Sequence, residues 1–465
     1  MNDTVSQLTA AIENLTCEGA PFATDTAVID GAQYRVYSAI PANLPEYFKL
    51  MLNHSDKDFA VYLDERYTFA QAYETAAAFA HALSEDFGVK RGDRVAILSR
   101  NNPQWMMSFI AILAVGAVAV PMNAWWTTDE LDYGLQDSGA GVVIADRQRF
   151  ERLAQVQGPL QLQLVGVGDY SGGEATVHSF DDSVARHAGA AMPDLAIAPD
   201  EHATIMYTSG STGHPKGALS SHRGILSSIY SFVLAGLAAR VLAPEGDADN
   251  RFAPAGLLTV PLFHCTGSHT VFLLSLLIGR KLVIMHKWDA QEALRLVEEE
   301  RVTYFTGVPT MSAELQAAAA ESDRDVSSLK EIYGGGAARP PAQVKALANT
   351  FKKSSPGIGY GLTETNALGT VNVGDAYLAK PGSAGMAVPA VTEIAIFDDN
   401  GQPLPAGERG EVVIHSPANV LGYWNKPEAT AEAFQNGWFY TGDVGYLDEG
   451  GFLFIVDRKK EIIIR

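Results

Sequence analysis

Short apolar runs alternate with helical patterns along most of this chain, and that alternation constrains its fold more than any other feature. Thr68 is placed to cap a helix over residues 69–83, where Ala72, Ala76, Phe79, Ala80 and Leu83 share one face. Gly88-Val89-Lys90-Arg91-Gly92-Asp93 reads as a turn, and Arg94-Val95-Ala96-Ile97-Leu98 as a buried strand. A helix from Pro103, a strand over residues 117–120, a capped helix at Thr128-Asp129-Glu130-Leu131 and the strand Gly141-Val142-Val143-Ile144 continue the series. Helices interleaved with buried strands predict an α/β fold whose mostly parallel sheet carries helices on both faces.

Residues 105–126 hold almost no polar side chain. Pro103 suits a first helical turn, Gly116 a helix stop, and the residues up to Pro121 a short buried strand. A helix plus a strand inside an α/β core accounts for this run, and no membrane span is predicted.

A second α/β unit follows residue 199, with a helix near residues 221–237. Beyond it, strands at 257–260, 281–285 and 304–306 alternate with helices at 268–277, 290–299 and 309–319. From about residue 387 the period becomes two. The run 391–397 turns at Asp398-Asp399-Asn400-Gly401 and returns over 410–414, and Asp448-Glu449-Gly450-Gly451 marks a further hairpin. The reading is α/β: two stacked α/β subdomains with mostly parallel sheets, over residues 1–190 and 191–386, plus a small β-barrel or compact antiparallel sheet over 387–457. Residues 1–45 read as an irregular lead-in, and Glu245-Gly246-Asp247-Ala248-Asp249-Asn250 as a solvated acidic loop.

Tyr207-Thr208-Ser209-Gly210-Ser211-Thr212-Gly213-His214-Pro215-Lys216-Gly217 is the densest stretch of chemistry, and an apolar run feeds it. Glycines let backbone approach a bulky anion, hydroxyls and amides donate to phosphate oxygens, and Lys216 adds a point charge. Pro215 stands where a Walker A loop has its last glycine, so this is a different kind of phosphate loop. A plain Ser/Gly linker gives no reason for Pro-Lys-Gly to follow. The formal charge of −20 provides no basic stripe, which argues against nucleic acid while leaving a local polyphosphate site open. Cys17 and Cys265, the two cysteines, suit a reducing cytoplasm. The N-terminus lacks the order of a signal peptide.

Gly359-Tyr360-Gly361-Leu362-Thr363-Glu364-Thr365 offers a ring for a purine, a hydroxyl for a phosphate and a carboxylate for Mg²⁺. Asp443, in Phe439-Tyr440-Thr441-Gly442-Asp443, could accept from ribose hydroxyls or merely satisfy its own turn. His264 follows an apolar strand, where a structural role is the commoner outcome. Neither a Cys265–His264 nucleophile nor a zinc site with His269 is expected, because sequence neighbours diverge and no second ligand pair accompanies them.

Taken in order, the loop at 207–217, Pro261-Leu262-Phe263-His264, Gly-Gly-Gly-Ala-Ala-Arg-Pro-Pro at 334–341, the stretch 359–365, Tyr440-Thr441-Gly442-Asp443 and the run from Asp457 to the last residue resemble the adenylate-forming superfamily. Within it the chain looks like an acyl-CoA synthetase, a fatty-acid or aryl-acid CoA ligase. The resemblance implies that Thr208, Ser209, Ser211, Thr212 and Lys216 hold the phosphates of ATP. It sets Gly336, Ala337 and Ala338 beside the adenine, between Gly359 and Gly361 sets Tyr360 against its face, and gives Thr363 the α-phosphate and Glu364 the Mg²⁺. Asp443 and Arg458 would bind the ribose, His264 would sit beside the acyl carboxylate, and Lys460 would lie at a hinge over residues 458–465. The implied substrates are a small-molecule carboxylic acid, ATP and coenzyme A, in the cytoplasm; the oligomeric state is left open, a homodimer included.

In this family roughly a hundred further residues would follow, about one small domain. They carry a lysine that Lys459 and Lys460 cannot replace, so the expectation for this chain is nucleotide and acyl binding with severely reduced adenylation. Three other readings share the motifs: an amino-acid-activating domain, a luciferase-like monooxygenase and a non-catalytic nucleotide-binding module. The first is disfavoured because His264 stands about where such domains place an aspartate. Apolar stretches at 307–311 and 367–370 fit an aliphatic or an aryl acid equally.

Overall fold

The computed structural model describes residues 2–156, 162–168, 177–208, 213–241, 251–388 and 390–459. Two large sheets and one small one organise them. The first sheet runs, in spatial order, Gly422–Tyr423, Lys216–Ser221, His202–Thr208, Val118–Pro121, Arg94–Leu98, Val142–Asp146, Gln163–Val167 and Val177–Ser179. From His202–Thr208 onward every pairing is parallel. The second runs Met386–Ala387, Thr370–Val373, Ser355–Tyr360, Glu331–Gly334, Tyr304–Gly307, Ala255–Leu258, Lys281–Ile284, Asp58–Tyr62 and Glu65–Thr68, parallel through its centre.

The helix over Pro103–Ala114 explains how the two sheets share a core. Asn102 caps it by accepting from the Trp105 amide, Pro103 sits where no amide partner is needed, and all its residues are buried. A helix that is apolar all round belongs in an interior. One continuous cluster joins it to Val95, Ile97 and Ile144 of the first sheet and to Leu258, Leu282 and Ile284 of the second. Each large apolar side chain buried there contributes about 1.5–3 kcal/mol. The apolar run is therefore core, and among the described residues no helix is long and apolar enough to cross a membrane.

Local signals placed many elements well. Thr68 and Gln71 form a capping box at the start of Phe69–His81. Three expectations change. Within the lead-in, residues 2–37 hold the helix Asn2–Thr16 and the hairpin Thr24–Ile29 with Ala32–Tyr37; Leu8, Ala11, Ile12 and Leu15 pack into the main core at helical spacing. The phosphate-loop hairpin belongs to the first sheet and not to the second unit, because His202–Thr208 pairs with Val118–Pro121, and the strand Lys216–Ser221 precedes the helix His222–Val241. The barrel is not closed: Glu393–Phe397, Gly410–His415, Trp438–Leu447, Phe434–Gln435 and Leu453–Arg458 make an open antiparallel sheet among the described residues. Glu393–Phe397 pairs with Gly410–His415 alone among the described strands, so nothing returns the far edge of the sheet onto it. The acidic loop at 245–250 lies outside the described residues.

Candidate active site

Open α/β sheets bind ligands beyond the carboxyl ends of their parallel strands. In the second sheet four adjacent strands deliver sequence motifs to that one edge. Ala255–Leu258 leads to His264, Tyr304–Gly307 to Val308-Pro309, Glu331–Gly334 to Gly336, Ala337 and Ala338, and Ser355–Tyr360 to Gly361, Thr363 and Glu364. Gly336, Ala337 and Ala338 are exposed there. A side chain at Gly361 would meet the Ala367 carbonyl oxygen at 2.1 Å, so the backbone at residue 367 can pass this close only because glycine stands here. The short helix Thr363–Thr365 follows.

Two constellations form on this edge. In the first, the Tyr423 hydroxyl donates to Glu364 Oε1 at 2.8 Å, and Lys216 Nζ lies 4.2 Å from the centre of the same ring. Burial and the neighbouring Glu364 raise the Tyr423 phenol above its ordinary pKa, so it remains a donor. The backbone assembles this contact: Ala218 pairs with Tyr423, Leu219 with Gly422, and the Val420 amide donates to the Glu364 carbonyl. Thr208 ends the strand before the loop, its hydroxyl 3.4 Å from the Lys216 carbonyl oxygen. Ser209, Ser211 and Thr212 lie outside the described residues.

In the second, the Tyr360 hydroxyl donates to Asp443 Oδ2 at 2.7 Å, and Arg458 Nε donates to Asp443 Oδ1 at 2.9 Å. Asp443 is only 4% exposed. Burial, then the Asp443 charge, holds the Tyr360 phenol well above its usual pKa. Each carboxylate oxygen keeps a second acceptor position, so Asp443 has the capacity to take two further hydroxyl donors. Lys459 pairs with Glu411 at 3.0 Å, and the other oxygen of Glu411 accepts from the Gly442 amide. Lys460 lies outside the described residues.

His264 is exposed, yet crowding by surrounding protein lowers its pKa. An exposed ring in a crowded setting is what the wall of an open cleft provides. Its neighbour Cys265 is buried beside Thr363 and Glu364, and burial pushes the thiol up to about 11. The Cys265–His264 nucleophile is thereby disfavoured, as a neutral buried thiol is a poor one. No group of three or more His, Cys, Asp or Glu among the described residues forms a metal-holding cluster.

Sequence reasoning missed Tyr423 and Asn366. Asn366 directly follows Thr365 in the left-handed region, at φ 51°, and is 1% exposed. Its Oδ1 accepts from Ser220 at 2.8 Å and from His269 Nε2 at 3.0 Å, its Nδ2 donates to the Ala418 carbonyl, and its own carbonyl accepts from Ser228. It thus ties the Thr363–Thr365 turn to the strand that carries Lys216 and to the helical segment after His264. An asparagine just past a chemistry-bearing turn was the available signal, since asparagine tolerates that backbone region.

Known proteins resemble this chain over most of its length. The chain is 35% identical over 401 residues to a feruloyl-CoA synthase from Amycolatopsis sp, covering 85% of this chain and 74% of that protein. It is 35% identical over 402 residues to the long-chain-fatty-acid–CoA ligase FadD13 of Mycobacterium tuberculosis, covering 86% and 75%. The inhibitor-bound N-terminal domain of FACL13 from Mycobacterium tuberculosis superposes with a TM-score of 0.77 at 31% identity, over 90% of this chain and 100% of that one. The family model described as AMP-binding enzyme matches residues 50–424, a span that holds the phosphate loop, both halves of the Lys216–Tyr423–Glu364 contact and the loops of the second sheet; the chain belongs to that family.

Proposed function

We propose that this protein is an AMP-forming acid–CoA ligase acting on a fatty or aryl carboxylic acid. The observation that carries the reading is that residues of two other sheets, Lys216 with Tyr423 and Asp443 with Arg458, reach Glu364 and Tyr360 at the edge of the second sheet. The names of the similar proteins, a feruloyl-CoA synthase and a long-chain-fatty-acid–CoA ligase, support the same class.

In this reading a carboxylate oxygen of the acid attacks the α-phosphorus of ATP. The bond from that phosphorus to the bridging oxygen breaks, releasing pyrophosphate and leaving an acyl-adenylate. The thiolate of coenzyme A then attacks the acyl carbon, and AMP leaves with the C–O electron pair. Lys216 neutralises charge on the departing phosphates, Thr363 donates to the α-phosphate, and the Tyr360 ring, fixed through its hydroxyl, lies against the adenine. Asp443 accepts from the ribose hydroxyls with Arg458 beside it. His264 stands on the acid's side of the cleft. Catalysis of this kind is mostly positioning and charge neutralisation.

Magnesium would come with the nucleotide, and Glu364, whose Oε1 accepts from the Tyr423 hydroxyl, would be the carboxylate that holds it alongside phosphate oxygens and water. It would supply charge neutralisation on the phosphates.

Acid-dependent exchange of labelled pyrophosphate into ATP reads the first half-reaction alone. Slow exchange above the acid-free background with aliphatic or aryl acids, in keeping with the reduced adenylation expected of this chain, and none with amino acids, is the expected result. Intact AMP binding without exchange for any acid would leave a nucleotide-binding module in place of an enzyme.

A further inference from the structure

The loop that leaves the strand Glu331–Gly334 carries the exposed residues Gly336, Ala337 and Ala338, then turns inward at Arg339, which is only 4% exposed. The guanidinium folds back under the loop. Its Nη1 donates to the Gly357 carbonyl at 3.0 Å and its Nη2 reaches the Ser312 hydroxyl at 3.4 Å, with the buried Tyr377 ring centred 6.0 Å away. A Cβ at Gly334 would stand 2.5 Å from Nη2, so glycine at that position makes room for the group. One side chain thus joins both ends of the loop to the neighbouring strand Ser355–Tyr360.

Register gives that tie its consequence. Gly334 pairs with Ile358 in parallel, so Gly336 and Tyr360 leave adjacent strands at the same height. In the nucleotide-binding reading Tyr360 lies against the adenine, and residues 336–338 then form the other side of its slot. A buried guanidinium carries a large desolvation cost. No carboxylate among the described residues pairs with Arg339, and burial lowers its pKa from the ordinary arginine value. An apolar side chain of similar length would fill the space without that cost. Stability alone gives no reason for a cation here, whereas a fixed loop position does.

We propose that Arg339 is a positioning residue for the adenine end of the nucleotide site: it fixes the spacing between residues 336–338 and Tyr360, and so sets affinity for the base and not for the ribose phosphate. The inference rests on the nucleotide-binding reading above and deepens it. The ribose side of the site, built on Asp443 and Arg458, makes no contact with Arg339 and is independent of it.

The test titrates wild type, Arg339→Met, Arg339→Lys and Gly334→Ala with AMP by calorimetry, and with ribose 5-phosphate, which has no base, by ligand-observed NMR. Arg339→Met is expected to bind AMP about tenfold more weakly, the lower end of what a hydrogen bond from a charged donor contributes, and ribose 5-phosphate within about twofold. Its urea midpoint should equal or exceed that of wild type, because an unpaired buried charge has been removed. Arg339→Lys keeps a charged donor for the Gly357 carbonyl and should recover part of the loss. Gly334→Ala pushes the guanidinium aside without deleting it, so the same selective loss is expected there, and this variant carries the test should Arg339→Met not fold. Equal weakening of both ligands, or AMP binding unchanged in every variant, overturns the proposal. A lower urea midpoint with unchanged AMP affinity would make Arg339 a purely structural residue. Wild-type protein that binds neither ligand would remove the nucleotide reading along with it.

Discussion

The Tyr360 hydroxyl donates to Asp443 at 2.7 Å, so an aromatic ring at the end of a strand in one sheet is held by a carboxylate from another. Asp443→Ala removes the acceptor of both Tyr360 and Arg458. A lost charge-assisted hydrogen bond is worth about 1.5–3 kcal/mol, so AMP affinity should fall at least tenfold. Tyr360→Phe, which keeps the ring, should cost only a few-fold. Calorimetric titration with AMP distinguishes the two, and equal effects would contradict the assignment.

Tyr423 separates two contributions. Tyr423→Phe keeps the ring beneath Lys216 and deletes the donor to Glu364, whereas Tyr423→Leu deletes both. A cation over an aromatic face contributes about 0.5–2 kcal/mol. Magnesium-bound triphosphate binding should therefore weaken in the order wild type, Phe, Leu. AMP without metal should respond far less. Identical binding in all three would show that this contact has no part in nucleotide recognition.

Two buried histidines make stability depend on pH. Burial depresses His222 and His269 to about 4 each, from 6.5. Below pH 6.5 the unfolded chain takes up protons that the folded chain refuses, so their contribution is fully present above 6.5 and falls as pH drops toward 4. Asn366 Oδ1 is an acceptor only, which puts the proton of neutral His269 on Nε2, while Nδ1 faces the Ser268 hydroxyl at 2.8 Å. His81 has the opposite sign, because hydrogen bonding to Glu85 raises it. Urea midpoints measured from pH 7 to 4 should lose about one proton of slope in His269→Gln, whose amide can still donate to Asn366. An unchanged slope would mean that His269 is charged in the folded protein.

The fold was legible wherever local chemistry decided it. Thr68 and Pro103 announced their helices, and 94–98 is a strand over the same residues as expected. The strands Glu331–Gly334 and Ser355–Tyr360 were not legible as strands. Their glycines and Pro356 have poor strand preference, and pairing inside a parallel sheet overrides it. Tyr360, Asp443 and Arg458 were singled out from separate motifs, and the fold brings them into contact. Tyr423 was not, because its partner Glu364 is 59 residues away and only the pairing of Gly422–Tyr423 with the loop's return strand brings them together. The acid itself was not readable, because pockets separate acids differing by one methylene by only about 1–3 kcal/mol.

Thiol labelling offers a simple check on packing. Cys17 is exposed, whereas Cys265 is buried with its thiol raised to about 11. One thiol should react with an alkylating reagent at pH 8 under native conditions, and the second only on unfolding. Rapid double labelling would contradict the packing of Cys265 against Thr363.

The central claim is that this chain forms a site for an acyl-adenylate. Thermal stabilisation by non-hydrolysable acyl-adenylate mimics of graded aliphatic length, together with aryl versions, tests it most directly. At roughly 100 times its dissociation constant a matched mimic should add about 2.7 kcal/mol, with a clear optimum across the series that identifies the acid class. No stabilisation by any mimic, with AMP also silent, would contradict the account.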